Sequence, residues 1–373
     1  MSESTSFTFT RRPTRAIRVG NHTIGGGAPL TVQSMTKTDT RDPAATLAQI
    51  DQLAEAGCDI IRLAVPDMTA AQALAQITPA SPLPVVADIH FDYQLALTAI
   101  AGGVSKIRLN PGNLRRPEEV KEVADAAKAR GIPIRIGVNA GSITPQSRAP
   151  YQALDPVEGV ARAMVDSTFE HIRLLEEQDF TDIAVSLKAF DVPTTILANR
   201  LFASRCDYPL HLGITEAGRP PAGLVRSCTG LGILLAEGIG DTLRVSLTAN
   251  PVEEVRAGRE ILSALGLRRS GLIIVSCPTC GRCEVDIAGL VLQAEEQLAP
   301  LDAMLRKSGK QLHVAIMGCV VNGPGEAKGA DVGLAAGRGK AALFSHGQPV
   351  ATLPIAEALA ALLTEAQKIA EEK

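Results

Sequence analysis

Four cysteines in the last third of the chain have the spacing of a metal centre. Cys277, Cys280 and Cys283 follow one another at intervals of three residues, and Cys319 lies 36 residues further on. Zinc sites usually pair one Cys-x-x-Cys unit with a second such unit or with histidines, whereas a C-x₂-C-x₂-C run is typical of an iron–sulfur cluster. The spacing alone therefore predicts a cluster held by these four thiolates, with a structural zinc ribbon as the alternative. We expect the scattered Cys58, Cys206 and Cys228 to be buried small hydrophobes.

A second set of polar residues lies in the carboxyl-terminal halves of short apolar runs. Charged side chains in interior strands are costly unless they are paired or face a ligand. Arginine matches phosphate oxygens with two parallel hydrogen bonds, so converging arginines predict a small, multiply anionic ligand, a phosphate or diphosphate. Internal salt bridges are the alternative, and Glu216 beside such a group is the natural proton donor. The set is Arg62, Asp88, His90, Arg108, Asn110, Arg135, Asn139, Lys188, Glu216, Arg244 and Ser246.

The elements that position these residues follow from the rhythm of the chain between residues 30 and 266. Eight β-branched apolar runs alternate with helical stretches that begin at Pro or Asn and end at Gly. This pattern predicts an α/β fold, a (β/α)₈ TIM-like barrel, whose strand ends meet at one mouth. A doubly wound open sheet is the alternative, but no glycine-rich turn follows the first strand. The predicted strands are 31–36, 59–65, 84–90, 106–111, 133–139, 182–189, 210–217 and 242–250.

The segments on either side of the barrel have a different pattern. Residues 1–29 predict a polar tail and a small hairpin around Asn21. From residue 267 to 373 strands, cysteines and two long helices predict a smaller α+β domain, which would carry the cluster. The helices are expected at 287–307 and 353–372.

Composition excludes several classes of protein. The chain has 373 residues, a formal net charge of −3, 3% aromatic residues and no Trp, so we expect no nucleic-acid binding. It has no apolar run long enough to span a membrane and no apolar signal segment near the N-terminus, so we expect no membrane association and a cytoplasmic protein. Cysteines grouped together in that reducing compartment favour metal binding over disulfides.

Several motifs together resemble one enzyme family. The motifs are CPTCGR, GCVVNGPGEA, VADIHFDYQLAL, IRLNPGN, IRIGVNAGS, VSLKAFD and HLGITEAG. From about Ile17 to the C-terminus the chain resembles (E)-4-hydroxy-3-methylbut-2-enyl diphosphate synthases of the methylerythritol phosphate route to isoprenoids. The resemblance implies reductive ring opening of 2-C-methyl-D-erythritol 2,4-cyclodiphosphate. It also implies a [4Fe-4S] cluster and two electrons from flavodoxin or ferredoxin.

The resemblance changes the predicted cluster ligands. Its ligand positions match Cys277, Cys280, Cys319 and Glu326, while Cys283 is a departure from the family pattern. A hard carboxylate holds a soft cluster iron more weakly than a thiolate does, so it can leave. The resemblance assigns Glu216 as the catalytic acid. It assigns substrate contacts to Arg62, Arg108, Arg135, Asn139, Lys188, Thr215, Arg244, Ser246 and Asn322.

Chain length between the two domains predicts a homodimer. The eighth barrel helix, expected at 251–265, is ~22 Å long at about 1.5 Å per residue and ends at the base of the barrel. The link 266–271 spans at most ~20 Å at about 3.5 Å per residue, so the cluster would hardly reach the mouth of its own barrel. We therefore expect each cluster domain to cap the barrel of its partner, with the active site shared between subunits.

Two other classes remain as alternatives to the reductase. An electron-transfer or redox-sensing protein would use the cluster for a partner, but it would not need the converging cations beside Glu216. A phosphate-binding barrel with a structural zinc module would contain no iron. Metal analysis and anaerobic turnover of the cyclic diphosphate separate the three.

Overall fold

Two compact units, each with its own sheet, make up the chain, and they divide after Arg268. The structure is a computed structural model that describes residues 9–89, 92–109, 116–268, 271–283, 285–319 and 321–372. Among these residues, no helix combines the length and the apolar character that crossing a membrane requires.

The first unit is a closed barrel of eight parallel strands. Seven ladders connect the strands in the order β8-β7-β6-β5-β4-β3-β10-β9, and a bridge between Val185 and Leu210 closes the ring. Closure confirms the predicted barrel and excludes the open sheet. The strands are β3 (Thr31–Met35), β4 (Ile60–Val65), β5 (Val85–Ile89), β6 (Lys106–Leu109), β7 (Ile134–Asn139), β8 (Ile183–Lys188), β9 (His211–Leu212) and β10 (Thr242–Leu243), preceded by the hairpin β1 (Ile17–Val19) and β2 (His22–Ile24).

Helices surround the barrel and pack their apolar faces on the outward side chains of the strands. Most begin at an Asp or Asn whose side chain accepts a hydrogen bond from the first turn, as Asp42, Asp191 and Asn250 do. The helices are α1 (Pro43–Glu55), α2 (Met68–Ala80), α3 (Tyr93–Ala101), α4 (Pro117–Arg130), α5 (Pro145–Arg148), α6 (Pro156–Glu176), α7 (Val192–Ala203), α8 (Ala222–Ala236) and α9 (Pro251–Ala264).

The last two barrel strands are much shorter than predicted. The apolar pattern predicts strands over 210–217 and 242–250, yet β9 and β10 have two residues each. The chain leaves the sheet because its amides find other partners. Thr215 N–H donates to the carbonyl of Ala189 at 3.1 Å, and Leu247 N–H donates to the carboxylate of Glu254 at 3.0 Å. The residues after each strand therefore form mouth loops.

The N-terminal hairpin closes one end of the barrel. Ile17, Val19 and Ile24 are buried against the first inward-facing residues of the strands, among them Ile60 and Val86. These side chains form an apolar floor at the amino-terminal ends of the strands. The open end is therefore the carboxyl-terminal one, where barrel enzymes have their sites.

The second unit has a five-stranded mixed sheet covered by helices, in the order β11-β12-β13-β14-β15. β11, β12 and β13 are parallel, and β14 and β15 continue as antiparallel hairpins, which confirms the predicted α+β character. The second long helix starts at Ile355 rather than 353, because the preceding residues extend the last strand. The elements are β11 (Gly271–Ser276), α10 (Ile287–Ser308), β12 (Gln311–Met317), α11 (Gly323–Ala327), β13 (Val332–Gly337), β14 (Lys340–Ser345), β15 (Gln348–Pro354) and α12 (Ile355–Glu372).

Candidate active site

Five cations predicted from the strand ends point into the barrel at its open end. Strand alternation places them there, since their neighbours in sequence, such as Ile61 and Leu63, belong to the core between strands and helices. The strands present Arg62, Arg108, Arg135 and Lys188, and Arg244 follows β10 directly. Arg135 is 1% exposed and Lys188 7% exposed. The structure thus brings these predicted residues together in one positively charged chamber, with Arg108, Arg135 and Lys188 buried and Arg62 and Arg244 half-buried.

Asp88 is the carboxylate on the strands that meets these cations. Its Oδ1 accepts from Nη1 of Arg108 at 2.9 Å, and its Oδ2 lies 3.7 Å from Nε of Arg62. Arg62 also donates to the sulfur of Met35 at 3.1 Å, and Arg135 donates to the hydroxyl of Ser186 at 3.1 Å. The predicted alternative of internal salt bridging therefore holds for part of the set, with Asp88 as a partner, and it leaves Arg135 with a neutral partner.

A second carboxylate reaches the chamber from a helix. Glu254 on the first turn of α9 is 2% exposed and lies 3.4 Å from both Arg244 and Lys37. Nothing in the sequence distinguishes Glu254 from an ordinary first-turn acidic residue, which stabilises the start of a helix. Only its position directly after the eighth strand could have pointed to the mouth.

Two glycines make room for the cations. A Cβ on Gly137 of β7 would lie 2.6 Å from Nε of Arg108, and one on Gly213 would overlap Nζ of Lys188. Real Cβ atoms do not approach so closely, so neither side chain could keep its place beside an alanine. Neither glycine is distinguished in the sequence as part of the site.

Burial and mutual repulsion act on the cations of the chamber. Burial, with the nearby Arg244 and Arg108, lowers the pKa of Arg62 to about 10 despite the attraction of Asp88. Burial and neighbouring arginines lower the pKa of Arg135 and of Lys188 well below their ordinary values. Uncompensated positive charge of this kind is relieved by a bound anion.

The remaining predicted barrel residues lie around the mouth. Glu216 is exposed in the loop after β9, beside Thr215, and has a φ of +53°, which a residue with a side chain rarely adopts. Such strain is common at functional sites. Asn139 ends β7, and Ser246 lies on the loop after β10. His90 and Asn110 fall outside the described residues.

The cysteines of the second unit follow the carboxyl ends of two neighbouring parallel strands. Cys277 comes directly after β11, and Cys319 lies two residues after β12. The sulfur of Cys277 accepts from Gly318 N–H at 3.2 Å. Backbone N–H groups of residues 321–323 lower the pKa of Cys319, and hydrogen bonds from Arg282 lower that of Cys280. Both thiols are thereby favoured as thiolates, the form that binds iron.

Cys283 has a different environment. Its thiol donates to the carbonyl of Val285 at 3.2 Å, and its sulfur would lie 2.5 Å from a Cβ on Gly318. Asn322 immediately precedes the short helix α11 and Glu326 lies within it, and both residues are exposed. In the described ranges, no three His, Cys, Asp or Glu side chains lie close enough together to bind one metal ion. The chemistry of the donors, two activated thiols and a third that accepts an N–H bond, nevertheless fits a thiolate-bound iron–sulfur cluster.

The other three cysteines do not share one environment. Cys58 is buried, donates to the carbonyl of Ile60 at 3.1 Å, and burial raises its pKa to about 12. Cys206 is half-buried, and Cys228 is exposed on α8. The prediction of a buried side chain is wrong for Cys228, because it lies on the side of α8 that faces away from the barrel core.

Two family models match the chain. Residues 14–259 match the GcpE TIM-barrel domain, and residues 273–368 match the GcpE protein C-terminal domain. The chain belongs to the GcpE family. This confirms the family resemblance found in the motifs. Between them, the two GcpE matches include every cation of the chamber, the loop of Glu216 and the four candidate cluster ligands.

Relatives of this GcpE chain are similar over nearly their whole length. The 4-hydroxy-3-methylbut-2-en-1-yl diphosphate synthase (flavodoxin) of Geobacter sulfurreducens is 56% identical over 96% of this chain and 99% of its own. Proteins of the same name from Dehalococcoides mccartyi and Caldanaerobacter subterraneus are 56% and 50% identical over 96% and 97% of this chain, and over 99% of their own. Among solved structures, the dihydropteroate synthase of Yersinia pestis has a TM-score of 0.49 at 12% identity, covering 67% of this chain and 98% of that one.

Proposed function

We propose that the protein is a 4-hydroxy-3-methylbut-2-en-1-yl diphosphate synthase. It opens the ring of 2-C-methyl-D-erythritol 2,4-cyclodiphosphate reductively and forms (E)-4-hydroxy-3-methylbut-2-enyl diphosphate. The observation that carries the proposal is the chamber, where three buried cations and two half-buried ones share two carboxylates among the described residues. Such an excess suits a ligand with two phosphates, and the names of the full-length relatives state the same product.

The chamber binds and orients the substrate in this proposal. Arg62, Arg108, Arg135, Lys188 and Arg244 hold the diphosphate oxygens, because guanidinium and ammonium groups bind them with charge-assisted hydrogen bonds. Asn139, Thr215, Ser246 and Asn322 contribute neutral hydrogen bonds to the ligand. Fixing the ring in this way removes the entropic cost of orienting the carbon–oxygen bond that breaks.

Glu216 is the proposed acid. The reaction takes up two electrons and two protons, breaks the bond between a ring carbon and a phosphate oxygen, and releases one hydroxyl as water. The leaving hydroxyl needs a proton. The position of Glu216, exposed on a strained loop after β9 at the mouth, supports this residue as the donor.

A [4Fe-4S] cluster is the proposed cofactor, held by Cys277, Cys280, Cys319 and Glu326. When bound, it supplies the two electrons one at a time. Cys283 is not among the proposed cluster ligands. Its thiol already donates a hydrogen bond to the carbonyl of Val285, which supports this choice. A carboxylate as the fourth ligand leaves one position that can be vacated.

Flavodoxin is the proposed electron donor, since the names of the relatives specify it. All seven cysteines are free, which supports a reducing cytoplasm as the compartment. The test is anaerobic turnover of the cyclic diphosphate by the reconstituted protein with reduced flavodoxin, and with reduced ferredoxin in parallel. Product with flavodoxin confirms the proposal, product with ferredoxin alone corrects the donor, and no product with either donor or with dithionite refutes the reaction.

The ligand set has its own test, with Cys283→Ser and Glu326→Ala compared in the same reconstitution. We expect Cys283→Ser to keep its iron content and its turnover. We expect Glu326→Ala to lose most turnover while the three thiolates retain iron. Loss of activity in Cys283→Ser together with full activity in Glu326→Ala would instead support four thiolate ligands.

We also propose a homodimer in which each active site takes its barrel from one subunit and its cluster from the other. α9 has 14 residues, ~21 Å at about 1.5 Å per residue, and it runs from the mouth of the barrel towards the base. Only residues 265–270 connect it to β11, ~21 Å at about 3.5 Å per residue when fully extended. This short tether supports a second subunit as the source of the cluster.

A further inference from the structure

A lysine lies deeper in the barrel than any of the cations discussed above. Lys106 is the first residue of β6 and faces inward, two residues before Arg108 on the same strand. That step is about 6.6 Å at about 3.3 Å per residue, which is close to the length of an extended lysine side chain. Lys106 is 0% exposed, and its Nζ has no hydrogen-bond partner among the residues that the structure describes.

The surroundings of Lys106 carry positive charge. Lys106 pairs with Val86 on the neighbouring strand β5, and Val86 pairs in turn with Arg62 on β4. The positive charges that act on Lys106 are those of Arg135 and Arg62. His211 on β9 is also fully buried and lies within the electrostatic reach of Lys106. Within the described part of the chain, neither of its ring nitrogens has a hydrogen-bond partner. Burial, first of all, and these cations lower the pKa of Lys106 well below its ordinary value.

Such an arrangement destabilises the empty barrel. A buried amino group without an acceptor costs free energy whether it is neutral or charged, and nearby arginines add to the cost of the charged form. An apolar residue of similar length would fill the same space without that cost. A lysine here is therefore explained by a ligand that supplies the missing acceptors and negative charge.

We infer that Lys106 is a further binding residue of the active site, whose ammonium group contacts the phosphate oxygens that reach deepest into the barrel. The inference rests on the proposed function, in that the ligand is the cyclic diphosphate. Arg135, whose Nε and Nη2 are also buried and have no hydrogen-bond partner in the described ranges, lies beside the same deep position and shares the ligand with Lys106. The anion site thus extends one layer below the ring of cations at the strand ends.

A purely structural role for Lys106 makes the opposite prediction about stability. If the lysine held the barrel together, its replacement would destabilise the empty protein. If it serves the ligand, its replacement by methionine removes an unpaired polar group, so the empty protein becomes more stable while anions bind less tightly.

The test uses full-length holoenzyme prepared anaerobically without reductant, so that substrate binds but does not turn over. Lys106→Met is compared with Lys121→Met, whose lysine is 60% exposed on α4 and pairs with Asp125. Calorimetry gives the Kd of inorganic pyrophosphate and of the cyclic diphosphate, and thermal unfolding is followed with and without each. Lys106→Gln, which keeps a polar group, is a second variant should methionine prevent folding.

We expect Lys106→Met to unfold at a higher temperature than wild type without ligand, and to bind both anions about tenfold more weakly or worse, as loss of a charged hydrogen bond implies. Lys121→Met should match wild type. Unchanged affinity in folded Lys106→Met or Lys106→Gln overturns the inference, as does a lower unfolding temperature with affinity retained. Wild type that binds pyrophosphate tightly but not the cyclic diphosphate refutes the proposed substrate, while weaker pyrophosphate binding by the variant still supports the role of Lys106.

Discussion

At the scale of single residues, the chamber depends on small side chains as well as on charged ones. Arg108 can lie across β7 only because residue 137 has no Cβ. Gly137→Ala should therefore displace Arg108 from Asp88 and raise KM for the cyclic diphosphate about tenfold or more, with a smaller effect on folding. Steady-state kinetics with saturating reduced flavodoxin measure this directly.

Gly232→Ala on α8 is the control for that substitution. A Cβ at residue 232 would meet nothing within 4 Å, and Gly in a helix interior costs about 1 kcal/mol relative to Ala. The control should keep wild-type KM and gain stability. A Gly137→Ala enzyme with unchanged KM would show that Arg108 does not hold substrate in its present position.

We infer that Glu254 is a positioning residue, because it contacts Arg244, a proposed substrate-binding residue, from the first turn of α9. Glu254→Gln keeps the shape and the hydrogen bond from Leu247 N–H but removes the negative charge between Arg244 and Lys37. We expect a loss of about 1–3 kcal/mol in stability and a higher KM with kcat less affected. Glu253→Gln, at the exposed neighbouring position, should change neither, and equal behaviour of the two variants would contradict the assignment.

The residues of the chamber show what sequence can and cannot predict. Arg62, Arg108 and Lys188 were predictable, because a charge inside an apolar strand is conspicuous. Lys106 was not, since it stands at the beginning of its strand and looks like a flanking charge. Glu254 was not, since its partner Arg244 is ten residues away and only the turn between β10 and α9 brings them together.

At the scale of elements, one ion pair ties the end of the first unit to the barrel. Asp59, just before β4, accepts from Val32 N–H at 2.8 Å and binds Arg268 through both oxygens, at 2.5 and 2.9 Å. Arg268→Met should lower the free energy of unfolding by about 1–3 kcal/mol, because it leaves a partly buried carboxylate unpaired. Chemical denaturation monitored by circular dichroism measures the change.

An exposed ion pair on an outer helix provides the comparison. Arg162 pairs with Glu158 one turn earlier on α6, and both side chains are well exposed. Arg162→Met should cost at most about 0.5 kcal/mol, since surface pairs contribute little. Equal losses for Arg268→Met and Arg162→Met would mean that the Asp59–Arg268 pair does not anchor the end of the unit.

The elements themselves were largely predictable, and the exceptions have a physical reason. The first six barrel strands agree with the apolar runs to within one or two residues, since burial on both faces requires an apolar sequence. The runs after Leu212 and Leu243 are equally apolar, but they continue into loops. Val245 and Leu247 are buried there without belonging to a strand, so hydrophobicity alone could not separate the two cases.

At the scale of the whole molecule, the proposed sharing of each active site between two subunits makes a prediction that no single variant can test. On the proposed roles, Glu216→Gln should remove the catalytic acid of the barrel, and Cys319→Ser should prevent binding of the cluster. A heterodimer of these two chains has one site with both lesions and one site with neither, provided that each site combines the barrel of one subunit with the cluster of the other. If each site used a single chain, both sites of the heterodimer would carry one lesion.

Heterodimers isolated with two different affinity tags should therefore regain about half of the wild-type turnover per dimer. The two homodimers, Glu216→Gln with itself and Cys319→Ser with itself, are inactive controls prepared in the same way. Iron content of the heterodimer should be about half that of wild type, which verifies that one cluster is present. A heterodimer with one cluster and no turnover would show that the barrel and the cluster of each site belong to the same chain. The short tether between α9 and β11 would then have to let the second unit reach the mouth of its own barrel.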